Sequence, residues 1–201
     1  QRWIVTAAAD ALEDAGYGQE NDFDRSRVGV VIGNSMGGEQ HVRTSMTMNW
    51  PFVGNALRES PSFRELSSDV QDRIIHESRQ KFGDAHHAPI NEDSMPGELA
   101  NVFAGRIANV LNLRGPNFAC DAACASSLAT FMTARRMLQH HDCDMAIAGG
   151  VDRCNGPEMF AKFCRIGALS AEGSFPFDSR ASGFVMGEGG AAFVLKRLAD
   201  A

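Results

Sequence analysis

Two short apolar runs that end in glycine constrain this chain more than any other feature. After their charged first residues, Arg27-Val28-Gly29-Val30-Val31-Ile32-Gly33 and Asp144-Met145-Ala146-Ile147-Ala148-Gly149-Gly150-Val151 show no alternation of apolar and polar positions. A strand with one wet face alternates, whereas a strand this apolar needs cover on both faces, and helices above and below a parallel sheet provide it. The segments between the runs agree. From Trp3 to Ala15, apolar side chains recur at Ile4, Ala7, Ala8, Ala11, Leu12 and Ala15, a helical spacing that Gly16 and Gly18 terminate. Pro96-Gly97-Glu98 is expected to open a helix carrying Leu99, Val102, Phe103, Ile107 and Val110 as far as Leu113 and Gly115. Asn117 to Cys120 reads as a short strand and Gly189 to Lys196 as the last one. Ala125 to His140 reads as a third long helix, with Leu128, Met132 and Leu138 apolar and Arg135 and Arg136 near the end where positive charge suits the dipole. Strands alternating with helices predict an α/β fold, a mainly parallel sheet layered with helices. Residues 48–95 break the rhythm: Pro51, Pro61, Pro89 and scattered charges lie among Leu57, Phe63, Leu66, Val70, Ile74 and Ile75, and an insertion of short surface helices is expected there.

The chain is long enough, at 201 residues with 44% hydrophobic and 22% charged side chains, to bury a real core. Its 19 Lys+Arg against 25 Asp+Glu give a net charge of −6, and no basic run exists to meet a nucleic acid or an anionic membrane surface. No stretch approaches the roughly 20 apolar residues of a membrane span, and QRWIVTAAAD lacks the pattern of a signal peptide. Five cysteines, at 120, 124, 143, 154 and 164, form an odd set without a C-x-x-C pair or a histidine at zinc spacing, which reads as reduced thiols in a cytoplasm.

Chemistry concentrates around Phe118-Ala119-Cys120-Asp121-Ala122-Ala123-Cys124-Ala125-Ser126-Ser127. A cysteine at the turn from a strand into a helix faces unpaired N–H groups and the positive end of the helix dipole, which favour its thiolate and can hold an oxyanion. Ala122, Ala123 and Ala125 keep that turn uncrowded. The plainer reading of Cys124 is a small buried hydrophobe. Ser126 or Ser127 as nucleophile would want a G-x-S-x-G elbow, which is absent. Cys120 reads as a core position in the strand, and Asp121 as an anchor for the turn's backbone N–H groups. The six histidines are His41, His76, His86, His87, His140 and His141; the adjacent pairs point apart and lack a third ligand, so no metal is expected. Asn34-Ser35-Met36-Gly37-Gly38 has neither G-K-[ST] nor G-x-G-x-x-G and is no phosphate loop. Glu188 is assigned to a buried polar network. Phe160, Phe163 and Ile166, at helical spacing after Gly149-Gly150, read as core when taken by themselves.

DAACASSLAT, preceded by PGELANVFAGRIANVLNLRGPN and followed by FPFDSRASGFVMGEGGAAFVLKRL, resembles the N-terminal half of a β-ketoacyl synthase of the thiolase-like condensing-enzyme superfamily. ALEDAGY and VGVVIGNSMGG extend the likeness toward the N-terminus, and the texture is most like ketosynthases of polyunsaturated-fatty-acid and iterative polyketide synthases. The resemblance implies a thiolase-like fold of which residues 1–201 are the N-terminal part of a ketosynthase domain, the C-terminal half of the pseudo-symmetric fold being absent. It places the family's acyl-accepting cysteine on Cys124, and it places Phe160, Phe163 and Ile166 in the region that lines the acyl pocket. It implies no bound cofactor, substrates on the phosphopantetheine of an acyl carrier protein, a homodimer with Phe118 to Cys120 at its contact, and the remainder of a larger synthase as partner. The family's two histidine motifs for decarboxylating a malonyl-type extender are not found here, so acylation without condensation is expected of this chain alone. Uncovered apolar surface and forced association are expected with it. A non-catalytic dimerisation piece, a cysteine hydrolase needing a histidine at Cys124, and another thiolase-fold acyltransferase are the alternatives.

Overall fold

β1 (Val28–Gly33) is buried along its whole length, and its side chains divide between two faces with the period of two that any strand imposes. Val28, Val30 and Ile32 join one apolar cluster, while Val31 joins another. This is the two-sided burial expected of an apolar run without alternation. The computed structural model describes residues 1–18, 21–35, 38–86, 89–153 and 155–201, and the chain forms two compact units, Gln1–Gly37 with Leu99–Ala201 and Gly38–Glu98. Met36 and Gly37 of the turn after β1, His87 and Cys154 lie outside the described residues.

The first unit is built on a four-stranded sheet in the order β2 (Asn117–Cys120), β1, β3 (Met145–Asp152), β4 (Gly189–Lys196). β1 runs parallel to β2 and β3, pairing Gly33 with both Cys120 and Gly150, and β4 runs antiparallel to β3. One face carries α1 (Arg2–Asp14) and α6 (Asn101–Val110), whose Ile4, Ala8, Leu12, Phe103, Ala104 and Ile107 close over Val30, Ile32 and Ile147. The other face carries α7 (Ser126–Gln139), with Ala134, Met137 and Leu138 over Val31, Ala146 and Ala148. Ile4, Ile32, Ile107 and Ile147 are fully buried, each contributing about 1.5–3 kcal/mol over an exposed position. α8 (Pro157–Arg165) follows β3, with Pro157 at its first turn.

At the start of the parallel strands, charges tie the sheet together. Asp144 receives hydrogen bonds from Arg27 Nε and from Arg197 Nη2. Arg27 also reaches His141 O, and Arg197 reaches Leu138 O and Cys143 O, so these cations brace the turn between the C-terminal end of α7 and β3, where positive charge suits the helix dipole. The two guanidiniums, Arg27 first, hold the Asp144 carboxyl down at about 2.

The second unit is helical: α2 (Gly38–Glu59), α3 (Pro61–Arg64), α4 (Ser68–His86) and α5 (Ser94–Glu98). Trp50 stacks on Phe82 at 5.5 Å between ring centroids, joining α2 to α4. Thr44 Oγ1 donates to Glu98 Oε1 and His41 Nδ1 lies 3.0 Å from Glu98 Oε2, joining α2 to α5; Thr44 first, then His41, lowers the Glu98 carboxyl. Two expectations are corrected here. The helical segment spans Gly38–Glu98 rather than 48–95, and it holds helices of 22 and 19 residues instead of only short ones, because Pro51 sits inside α2 without ending it. The helix expected from Pro96 to Leu113 is two helices. Val102 and Phe103 bond back to Leu99 O and Ala100 O, three residues away, so the chain tightens and restarts between α5 and α6.

Candidate functional site

Cys124 lies where β2 hands over to α7, and its turn is held by short-range hydrogen bonds. Asp121 Oδ1 accepts from Ala123 N–H at 2.9 Å, the anchoring expected of it. Ser126 Oγ accepts from Ala122 N–H at 2.9 Å and donates to Ala123 O at 2.6 Å. Ala123 has a left-handed backbone, φ +51°, a conformation that costs a residue bearing a Cβ about 1–3 kcal/mol. That kink leaves the Cys124 side chain exposed, which excludes the buried-hydrophobe reading.

The donor cluster is narrower than the sequence suggests. Ala122 and Ala123 N–H are taken by side chains, and Ala125 and Ser126 N–H bond to Ala122 O and Ala123 O. Among the described residues, the N–H groups of Cys124 and of Ser127 and Leu128 in the first turn of α7 make no backbone hydrogen bond, so the Cys124 N–H is one of the donors left at the head of the helix.

Two glycines let the head of α7 come this close to the sheet. A Cβ on Gly33 would lie 2.7–2.8 Å from the backbone of Ser126 and Ser127, and one on Gly150 would collide with the Ser127 side chain. Thr130, fully buried, adds hydrogen bonds to Ser127 O at 2.6 Å and Gly149 O at 3.2 Å, tying the first turns of α7 to β3.

Cys124 opens into a cavity of about 700 Å³ whose wall is formed by Gly33, Asn34 and Ser35 after β1, Ala123, Ser126 and Ser127, Gly150 to Asp152, Met159 and Phe163 of α8, and Met186 with Gly189 to Ala191. It sits past the carboxyl ends of the parallel strands, where open α/β sheets commonly place ligands. Phe163 is fixed in the wall by an edge-on contact with Phe184, 5.7 Å between centroids.

Phe160 and Ile166 do not join it. They are 41% and 73% exposed, neither core nor cavity wall, because the inward face of α8 is set by Met159 and Phe163, four residues apart. Sequence reasoning misses Met159 although that spacing marks it; Met186 and Asn34 come from loops with no periodic signal. Glu188 is also corrected: it is exposed, accepting from Asn155 N–H at 3.3 Å, with no burial to make it part of an internal network. Cys120 is half-buried rather than core, Cys143 is buried and Cys164 exposed. Burial pushes the Cys143 thiol up.

No imidazole hydrogen-bonds Cys124 among the described residues. His140 and His141 lie beyond the far end of α7, whose 14 residues put about 20 Å between them and its head. Also among the described residues, no group of three His, Cys, Asp or Glu side chains sits together as a metal site would require, and no helix is long and apolar enough to cross a membrane.

The model of the β-ketoacyl synthase N-terminal domain matches residues 1–201. The chain belongs to the β-ketoacyl synthase family. It is 34% identical over 193 residues to a polyunsaturated fatty acid synthase of Thraustochytrium sp., covering 96% of this chain and 6% of that protein. It is 34% identical over 184 residues to an erythronolide synthase of Saccharopolyspora erythraea, covering 89% of this chain and 6% of the relative. Among solved structures, the ketosynthase from module 6 of the bacillaene synthase of Bacillus subtilis 168 superposes with a TM-score of 0.63 at 29% identity, covering 98% of this chain and 26% of that one. The chain therefore has the thiolase-like fold of ketosynthases and spans about a quarter of the ketosynthase chain it superposes on.

Proposed function

We propose that this chain is the acyl-accepting part of a β-ketoacyl synthase, with Cys124 as nucleophile. The observation that carries the reading is the placement of one exposed thiol at the head of α7, beside its own unoccupied N–H and inside a cavity with apolar walls. The Cys124 thiolate attacks the carbonyl carbon of an acyl thioester borne on the phosphopantetheine of an acyl carrier protein. The oxyanion is received by Cys124 N–H and the positive end of α7. The bond from the carbonyl carbon to the carrier sulfur breaks, the carrier sulfur leaves as a thiolate and takes up from solvent the proton that Cys124 released on ionising, and the acyl group remains on Cys124 with its chain against Phe163, Met159 and Met186. A malonyl-type thioester then loses carbon dioxide, and its carbanion displaces Cys124 from the acyl carbon to give a β-ketoacyl thioester. That second step draws on the two histidine motifs that this chain does not supply.

The same reading makes an acyl carrier protein and the rest of a multidomain synthase the partners, in a cytoplasm. It adds a homodimer through β2, an idea supported by the position of β2 at the sheet edge with Asn117 and Phe118 exposed. The acyl-acceptor role is tested in the full-length parent protein with an acyl N-acetylcysteamine thioester and peptide mass mapping. An acyl adduct on Cys124 that disappears in Cys124→Ala is expected; an adduct on Cys120, Ser126 or Ser127 with Cys124 unmodified would overturn it.

A further inference from the structure

Ser126, 6% exposed at the start of α7, reaches back across Cys124 with two hydrogen bonds from its side chain. Its Oγ accepts from Ala122 N–H at 2.9 Å and donates its one proton to Ala123 O at 2.6 Å. Its backbone N–H also donates to Ala123 O, at 3.0 Å. Ala123 O therefore receives two donors from one residue. That oxygen belongs to the same peptide group as the N–H of Cys124, and the group is planar and trans. Its carbonyl and its N–H point in opposite directions, so holding the oxygen on the Ser126 side fixes the line along which Cys124 N–H points. A hydrogen bond to an amide oxygen also draws electron density from the nitrogen by resonance, which makes the N–H on the far side a stronger donor. Ala123, at φ +51°, needs such a clamp, because a residue with a Cβ keeps that conformation only where its surroundings enforce it.

We propose that Ser126 is a positioning residue for the acylation of Cys124, its hydroxyl aiming and polarising the Cys124 N–H through the Ala123–Cys124 peptide. This role rests on the acyl-acceptor reading and adds to it a residue that touches neither the thioester nor the thiol. The hydroxyl proton is committed to Ala123 O, so Ser126 acts on the oxyanion through that peptide alone. A donor already aimed at the place where negative charge develops stabilises the transition state without reorganising during the reaction.

The test compares two reactions of Cys124 in the full-length parent protein: acylation by an acyl N-acetylcysteamine thioester, which develops an oxyanion, and alkylation by iodoacetamide, which displaces iodide from a saturated carbon and develops none. Both use the thiolate, so their ratio cancels any change in thiol ionisation. Ser126→Ala should slow acylation about fivefold or more, the worth of one net hydrogen bond, and leave alkylation within about twofold. Ser126→Thr, which keeps the hydroxyl, should restore most of the acylation rate. Ser126→Gly removes the same hydroxyl and keeps the test open should the alanine variant not fold. Unchanged acylation in the alanine or glycine variant would overturn the assignment. Equal slowing of acylation and alkylation would overturn it too, leaving Ser126 a role in the shape of the turn alone. Absence of any acyl adduct on Cys124 in the native protein, with alkylation intact, would instead remove the acyl-acceptor reading, and the role of Ser126 with it.

Discussion

Met159 and Phe163 face the Cys124 cavity while Phe160, one residue away, points elsewhere, so neighbouring aromatics on one helix should have separate consequences. Phe163→Ala should slow acylation of Cys124 by long acyl groups about tenfold, with less effect on acetyl, because the lost contact is with the chain and not with the thioester. Phe160→Ala should leave both rates within about twofold, as exposed substitutions do. Rates of adduct formation followed by mass spectrometry decide between them, and equal losses in the two variants would refute the assigned faces. Single residues are legible in the sequence where their chemistry is local. Asp121 bonds two residues ahead, and the placement of Cys124 at a strand-to-helix turn needs only the pattern around it. Phe160, Ile166 and Glu188 escape such a reading because their burial depends on which side of a helix or loop meets the rest of the chain, a fact that spacing alone leaves undetermined.

At the level of elements, the strands are legible and the second unit is not. β1 and β3 are apolar on both faces, an unambiguous signal, whereas α2 hides its continuity behind Pro51 and α5 and α6 present one apolar rhythm across a break at Leu99 and Ala100. A proline inside a helix forfeits a backbone hydrogen bond and crowds the preceding turn, about 3 kcal/mol against alanine. Its stiffness in the unfolded chain returns up to about 1 kcal/mol. Pro51→Ala should therefore stabilise the Gly38–Glu98 unit by about 2 kcal/mol, read as a higher denaturant midpoint with Trp50 fluorescence as the probe. A lower midpoint would mean that the proline fits a bend on which the Trp50–Phe82 stack depends.

Across the sheet of the first unit, one carboxylate collects several tethers. Asp144 is drawn from the ordinary 3.8 to about 2 in the folded chain by Arg27 and then Arg197. Because its folded value lies below its unfolded one, ionised Asp144 stabilises the fold fully above about pH 4. That contribution fades as the pH falls from about 4 through 2, and it is gone only below the folded value, where both states are protonated. Thermal midpoints measured between pH 6 and pH 2 should show an acid loss that is shallower in Asp144→Asn, and an identical acid slope in the variant would remove this residue from the account. The network is invisible in the sequence because Arg27, Asp144 and Arg197 are brought together only by the pairing of β1, β3 and β4. It lies at the amino ends of the parallel strands, while Cys124, Asn34 and Gly150 lie at or beyond their carboxyl ends. The two ends of one sheet thus answer to different demands: a substitution in the loops around the thiol reshapes the cavity and leaves the ionic lock untouched, whereas one in the lock loosens β1, β3 and β4 together at the opposite pole.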